Sequence, residues 1–217
     1  MIGKKKALPL TFKRLVDVAD LEKAVAALCH HDPGFQLIVD AHGLPSLRVS
    51  PQGLEGLLII ITEQFLSLQA AAAIWARLKA RLGDCAPKTV LSCEEPELLS
   101  LGLSRTKARA FHAAARANLE FEGLDEAGVT QKLCAIHGVG PWTADIYLLS
   151  VLGAADAWPK GDLALRVAVG DFLKLRRRPD ISDMDGLAEA WRPWRAVAAR
   201  LLWSHYRGLK GLPQAAP

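Results

Sequence analysis

Between two apolar segments, residues 133–136 and 146–152, the chain reads His-Gly-Val-Gly-Pro-Trp-Thr-Ala-Asp. Gly138 and Gly140 open backbone angles that other residues avoid, and Pro141 suits the first turn of a helix, where its missing N–H goes unused anyway. The stretch therefore dictates two helices joined by a tight hairpin, with the second helix beginning at the turn itself. Amides at that start, around Gly140, Trp142 and Thr143, point outward beside the positive end of the helix dipole, which makes a ready phosphate site. A Gly-x-Gly turn taken alone is equally compatible with a plain structural corner.

The rest of the chain follows the same helical period. Asp20 is placed to cap a helix through LEKAVAALCHHD, whose Leu21, Ala24, Val25 and Leu28 share a face, and Pro33-Gly34 closes it. His42–Gly53 has the Gly, Pro and Ser density of a connection. A helix from about Leu54 to Gln64 then meets a second one, capped by Ser67 and stopped by Gly83, in a helical pair with a tight joint. After a proline-containing connection come a short helix closed by Gly102 and one opened by Ser104, with Ala108, Phe111, Ala115 and Leu119 spaced for burial. Asp125–Ile136 is the next helix, and Met184–Arg207 a long helical stretch interrupted at Pro193. With no convincing alternating segment and no internal repeat, the expected fold class is all-α.

At 217 residues and 51% hydrophobic content the chain can bury the core of one compact domain or of two small lobes. Its longest strongly apolar block, Leu57–Ile61, runs into Thr62, Glu63 and Gln64, so no membrane span is expected. Residues 1–12, MIGKKKALPLTF, read as a basic, loosely ordered tail without an export signal, and a cytoplasmic location is the expectation. Cys29, Cys85, Cys93 and Cys134 lack any CxxC spacing, which argues against a zinc site and against an iron–sulfur cluster. Net charge is +4, yet the segment from Lys160 onward holds 11 Lys and Arg against 6 Asp and Glu, a balance that suits a polyanion as well as a solvated face.

HGVGPWTAD resembles the hairpin signature of the helix-hairpin-helix-GPD superfamily of DNA glycosylases, and PKGDLALR resembles the Pro and Asp segment that names it. The likeness extends through HDPGF, HGLPSLR, ITEQFLS, GLSRTKARAF and AWRPWRAVAARLLW, which together span roughly residues 12–207. It implies a domain over 13–217 in two helical lobes, approximately 54–152 and 13–53 plus 153–217, with the active-site cleft between them. Superfamily members that also cut the strand carry a lysine two residues after the second hairpin glycine. Here that position is Trp142, and an indole forms no imine. The chain is thus similar to the 3-methyladenine DNA glycosylase II group, whose members hydrolyse the N-glycosidic bond of flipped-out alkylated purines in base excision repair without lyase activity.

The resemblance assigns roles by position. Asp162 stands where the catalytic aspartate stands, and its residue-level alternative is an ordinary helix N-cap. Trp142 and Trp203 match aromatic positions of the base pocket, with Ile146 on its wall, while Trp191 and Trp194 read as packing residues. Gly138, Val139, Gly140, Trp142 and Thr143 of the hairpin, together with Arg166, are the DNA-binding candidates, with Arg176, Arg177 and Arg178 as further cations. Phe65 is the candidate wedge for the space that an extruded nucleotide leaves. Carbonyls of Cys134, Ile136 and Val139 are implied ligands of a structural Na+ or K+, and no other cofactor is required.

The expected partner is double-stranded DNA containing alkylated bases, chiefly 3-methyladenine with 7-methylguanine second, bound by a monomer that would be nucleoid-associated in a bacterium. The alternatives are a non-catalytic helix-hairpin-helix DNA-binding protein and a glycosylase for other damaged or mismatched bases. Asp162 with Trp142 and Trp203 argues against the first, because binding alone needs neither a carboxylate nor an aromatic pocket.

Overall fold

The structure, a computed structural model, describes residues 10–47 and 49–214. Among the described residues it is all-α: the only extended pairing is an isolated antiparallel bridge between Arg14 and Ala154. Among the described residues no helix is long and apolar enough to cross a membrane. The chain divides into two compact units, one formed by the stretch to Phe12 with Ser50–Tyr147 and the other by Lys13–Val49 with Leu148–Pro217. Residues 1–9 of the expected basic tail lie outside the described residues, and within the remainder Thr11 donates its N–H to the Leu124 carbonyl at 3.3 Å.

Lys13–Val49 contributes α1 (Val18–His31) and α2 (Gly34–His42). Asp17, and not Asp20, caps α1, accepting the Asp20 N–H at 2.8 Å, while the Asp20 carboxylate reaches back to the Val16 N–H at 3.1 Å. The two acidic residues form a reciprocal cap that moves the start forward by three positions. Pro33-Gly34, expected to end the first helix, also begins the second, because proline is tolerated where a helix starts. Gly34 is needed there: a Cβ would lie 2.9 Å from the Phe172 ring.

Ser50–Tyr147 contains α3 (Leu54–Glu63), α4 (Leu68–Leu82), α5 (Pro87–Ser92), α6 (Glu95–Ser100), α7 (Arg105–Arg116) and α8 (Glu126–Cys134). The Ser67, Ser104 and Asp125 side chains cap α4, α7 and α8 by accepting the Ala70, Lys107 and Gly128 amides. α5 occupies what the sequence presents as a connection, with Pro87 in its first turn. α7 ends at Arg116, so Leu119 lies beyond it and is only half-buried. α3, α5 and α6 pack on α7, around a core that includes Leu57, Ile61, Leu78, Val90, Leu98 and Phe111.

α9 (Pro141–Ser150) belongs to the first unit through Tyr147 and to the second from Leu148. Beyond it come α10 (Leu163–Phe172), α11 (Met184–Leu187), a 3-10 turn at Glu189–Trp191 and α12 (Arg195–Leu209). In the second unit α12 packs against α1, α2 and α10. An aromatic cluster fills the space beside them: Trp191 lies with its ring centroid 5.3 Å from Phe35, 5.7 Å from Trp158 and 6.0 Å from Phe172. Its indole N–H donates to Asp32 at 3.1 Å, which satisfies the polar atom of a side chain only 2% exposed.

Candidate functional site

The two motif segments lie in different units, and each has its own geometry. In the first unit the hairpin joins α8 to α9. Gly138 is required by the fold itself: its φ is +83°, and an added Cβ would come within 2.5 Å of Ala110 Cβ on α7. Gly140 has neither constraint, since its φ is ordinary and a Cβ there would meet nothing within 4 Å. Its bareness leaves the backbone open to close approach from outside. Thr143 is 2% exposed and accepts a hydrogen bond on Oγ1 from the Gln64 amide at 2.8 Å, so it fixes the start of α9 from inside. Gln64 Nε2 also donates to the Gly138 carbonyl at 3.2 Å. Trp142 and Ile146, one turn apart on α9, are both half-buried. Further along the same helix, Tyr147 is buried and donates its hydroxyl to the Gly53 carbonyl at 3.2 Å, and burial pushes its phenol up to about 12.

Phe65 lies in the joint between α3 and α4. It is fully exposed, at 102% of the reference area, and its φ is +57°. An aromatic residue in the left-handed region is strained by about 1–3 kcal/mol. Exposure also forgoes the burial that ordinarily stabilises a phenylalanine. Exposure and a left-handed backbone thus coincide at one residue. Packing, the ordinary role of a Phe at a helix end, does not describe it.

The second unit holds the acidic residue. Asp162 caps α10, its Oδ1 accepting the Leu165 N–H at 2.8 Å. The same Oδ1 accepts the indole N–H of Trp203 from α12 at 3.1 Å. The side chain is thus an N-cap and also the partner of the aromatic residue expected in the base pocket. The sequence suggests no link between the two, which are 41 positions apart. Two donors on one oxygen fix the carboxylate plane, which is what a group that must face a developing cation requires.

The C-terminal cations are largely committed within the unit. Arg166, expected at a DNA backbone, has a side chain only 14% exposed; its Nε donates to the Pro179 carbonyl at 2.9 Å, with Asp180 3.6 Å away. It braces the 176–180 loop from beneath. Arg195 pairs with Asp156 at 2.8 Å and is itself buried, and the buried Arg200 donates to the Ser46 and Leu149 carbonyls. Arg176, Arg177 and Arg178 stay exposed, with Arg177 paired to Asp180. Formal charge therefore overstates the positive surface of this segment.

The Cys134, Ile136 and Val139 carbonyls lie at the end of α8 and in the hairpin, where Ile136 O already accepts the Val139 N–H at 3.0 Å. They are neutral oxygens, and among the described residues no group of three His, Cys, Asp or Glu is arranged to hold a metal. Such a set fits a singly charged ion better than a divalent one.

Hairpin, fixed carboxylate and solvated phenylalanine all fall within residues 58–195, which match the HhH-GPD superfamily base excision DNA repair protein model. The chain belongs to that superfamily. Among its relatives is the alkylbase DNA glycosidase-like protein mag2 of Schizosaccharomyces pombe, 27% identical over 85% of this chain and 93% of the relative. A crystal structure of a DNA-3-methyladenine glycosidase from Bacillus halodurans superposes with a TM-score of 0.70 at 26% identity, over 87% of this chain and 91% of that one. Schizosaccharomyces pombe Mag1, a 3-methyladenine DNA glycosylase solved with abasic DNA, shares the fold at a TM-score of 0.76 and 24% identity, over 83% of this chain and 95% of that one.

Proposed function

We propose that this protein is a base excision repair glycosylase that releases alkylated purines, 3-methyladenine before 7-methylguanine, from double-stranded DNA and leaves the strand uncut. The observation that carries the reading is the Asp162 carboxylate fixed by the Leu165 and Trp203 N–H groups. A binding module has no use for an acid held in this way. Breaking the N-glycosidic bond builds positive charge on the sugar, and a carboxylate whose donors set its direction stabilises that charge and orients the attacking water. Alkylation at N3 or N7 makes the base cationic and a good leaving group, so no second acid is needed.

The half-buried Trp142 and Trp203 suit a flat cationic ring, worth about 0.5–2 kcal/mol per good contact. Trp142 also takes the position at which strand-cutting relatives carry lysine, and without an amine there is no imine to open the sugar. Hairpin amides around Gly140 take a phosphate, and Phe65 fills the space the extruded nucleotide leaves. Because the Arg166 guanidinium is committed to Pro179 and Asp180, the phosphate contacts fall to the hairpin and to the exposed Arg176 and Arg178. The Cys134, Ile136 and Val139 carbonyls would hold a monovalent cation that adds charge beside that phosphate. The protein acts as a monomer in the cytoplasm on this reading.

The test is incubation with methylated duplex DNA. Free 3-methyladenine should be released, and strand breaks should emerge only after alkali. Breaks before alkali would overturn the purely hydrolytic assignment. Tight DNA binding with no base released would establish the non-catalytic module instead.

A further inference from the structure

Phe65 can act as a wedge only if something outside its own residue keeps it in its strained, solvated conformation. The side chain itself contributes nothing, since it touches solvent on all sides. The neighbours do. Lys107, on the first turn of α7, sends its ammonium into the joint and donates to the Thr62 carbonyl at 2.8 Å and to the Gln64 carbonyl at 2.7 Å. These carbonyls lie just before Phe65, in the last turn of α3 and at its cap, where helix carbonyls lack intrahelical partners of their own. The Gln64 side chain meanwhile runs the other way, to Thr143 Oγ1 and the Gly138 carbonyl of the hairpin. α7 touches the hairpin as well, through Ala110 beneath Gly138. Burial lowers the Lys107 pKa, the sign of a cation drawn out of water toward these carbonyls.

We propose that Lys107 is a positioning residue for the wedge: its ammonium clasps the backbone on the N-terminal side of Phe65, and with Gln64 it couples the joint to the phosphate-binding hairpin through α7. The proposal rests on the reading of Phe65 as the wedge. Lysine suits the place because three rotatable donors on one nitrogen can serve two carbonyls at once, and because a cation favours helix C-terminal carbonyls. A hydrophobic side chain of the same length would leave both acceptors without their donor and let the joint relax.

The test compares single-turnover base release from two duplexes, one with the alkylated purine paired and stacked, the other with the same purine opposite an abasic analogue, where extrusion needs little help. The quantity read is the ratio of the two rates, for wild type, Phe65→Ala, Lys107→Met, the double variant and Lys107→Arg, with thermal unfolding measured on each. Phe65→Ala should lower the paired-to-unpaired ratio about tenfold, since a wedge offsets part of the unstacking cost. Lys107→Met should lower it by a similar factor, the double variant no further, and Lys107→Arg, which keeps cationic donors, should recover most of it. A brace of the fold alone would lower the unfolding temperature and both rates together, leaving the ratio unmoved, and that result overturns the proposal. If Phe65→Ala leaves the ratio unchanged, the wedge reading itself falls. If Phe65→Ala lowers it while Lys107→Met does not, only the positioning role of Lys107 falls. Should Lys107→Met fail to fold, the ratio for Lys107→Gln, which retains one amide donor at shorter reach, decides the same question.

Discussion

Replacing Asp162 by alanine and by asparagine separates two roles that a single oxygen combines. Oδ1 accepts the Leu165 N–H at 2.8 Å and the Trp203 indole N–H at 3.1 Å. Alanine deletes both. Loss of an N-cap costs about 1 kcal/mol. Loss of a hydrogen bond to a charged acceptor costs about 1.5–3 kcal/mol. Trp203 is only half-buried, so water replaces its partner and the lower figure applies. The sum, about 2.5 kcal/mol, lowers Tm by roughly 5–10 °C for a chain of this size. Asparagine offers a carbonyl oxygen in the same place and loses only the charge at the helix dipole, about 0.3–1 kcal/mol. Its Tm should fall by no more than about 1–4 °C. Base release from methylated DNA should drop by at least about 100-fold in both variants, since removing a preorganised electrostatic group costs that much or more. Calorimetry and chromatography of the released base read the two axes independently. An asparagine variant that unfolds as early as the alanine variant would refute the account of Oδ1, and one that excises at the wild-type rate would take Asp162 out of the chemistry.

The two hairpin glycines should part company. Gly138→Ala meets a positive φ and the Ala110 methyl, so it should lose about 2–4 kcal/mol in denaturant unfolding, whereas Gly140→Ala should stay within about 0.5 kcal/mol and yet bind DNA more weakly in a fluorescence titration; equal behaviour on both axes would contradict the division. Tyr147 has a folded-state pKa raised from 10.0 to about 12. For this sign the stability is fully present below pH 10 and is lost as pH rises toward 12, because the unfolded phenol ionises first. Wild type should therefore lose up to about 2–3 kcal/mol across that window relative to Tyr147→Phe, and parallel stability curves would show the shift to be absent. Arg166→Ala should lower Tm and loosen the 176–180 loop while leaving the slope of log Kd against log salt unchanged; a slope smaller by about 1 would restore Arg166 to the phosphate contacts.

Elements were legible where their signals are local. Ser67, Ser104, Asp125 and Gly83 mark helix ends through contacts within four residues, and the structure uses each of them in that way. Prolines conceal two helices, α2 and α5, from a reading of the sequence. Pro33 and Pro87 look like breaks, yet each stands at a helix start, where a missing N–H is harmless. The sequence places the start of α1 three residues late because Asp17 and Asp20 are both competent caps and only the backbone path chooses between them. At the site, the hairpin glycines and Asp162 carry strong positional signals. What the sequence leaves hidden are partners distant along the chain: Lys107 with Thr62 and Gln64, Gln64 with Thr143, and Trp203 with Asp162. Arg166 shows the converse, in that its charge is visible in the sequence and its hydrogen bond to Pro179 is not. The exposure and left-handed backbone of Phe65 are not visible in its residue type, and only the resemblance singles the position out.

The division of the chain has a consequence for its synthesis. Ser50–Tyr147 is one uninterrupted stretch, and its helices find their neighbours as soon as they emerge from the ribosome. In the other unit the helices that meet lie far apart along the chain: α1 and α2 come early, but the helix they pack against, α12, begins only at Arg195. At typical elongation rates that interval is on the order of ten seconds or more. Through it the apolar faces of Leu21, Val25, Leu28, Phe35 and Ile38, all buried in the finished protein, have only the contact of α1 with α2 and lack that of α12. The folding hazard of the nascent chain thus lies in α1 and α2, and the translation of α12 is what removes it.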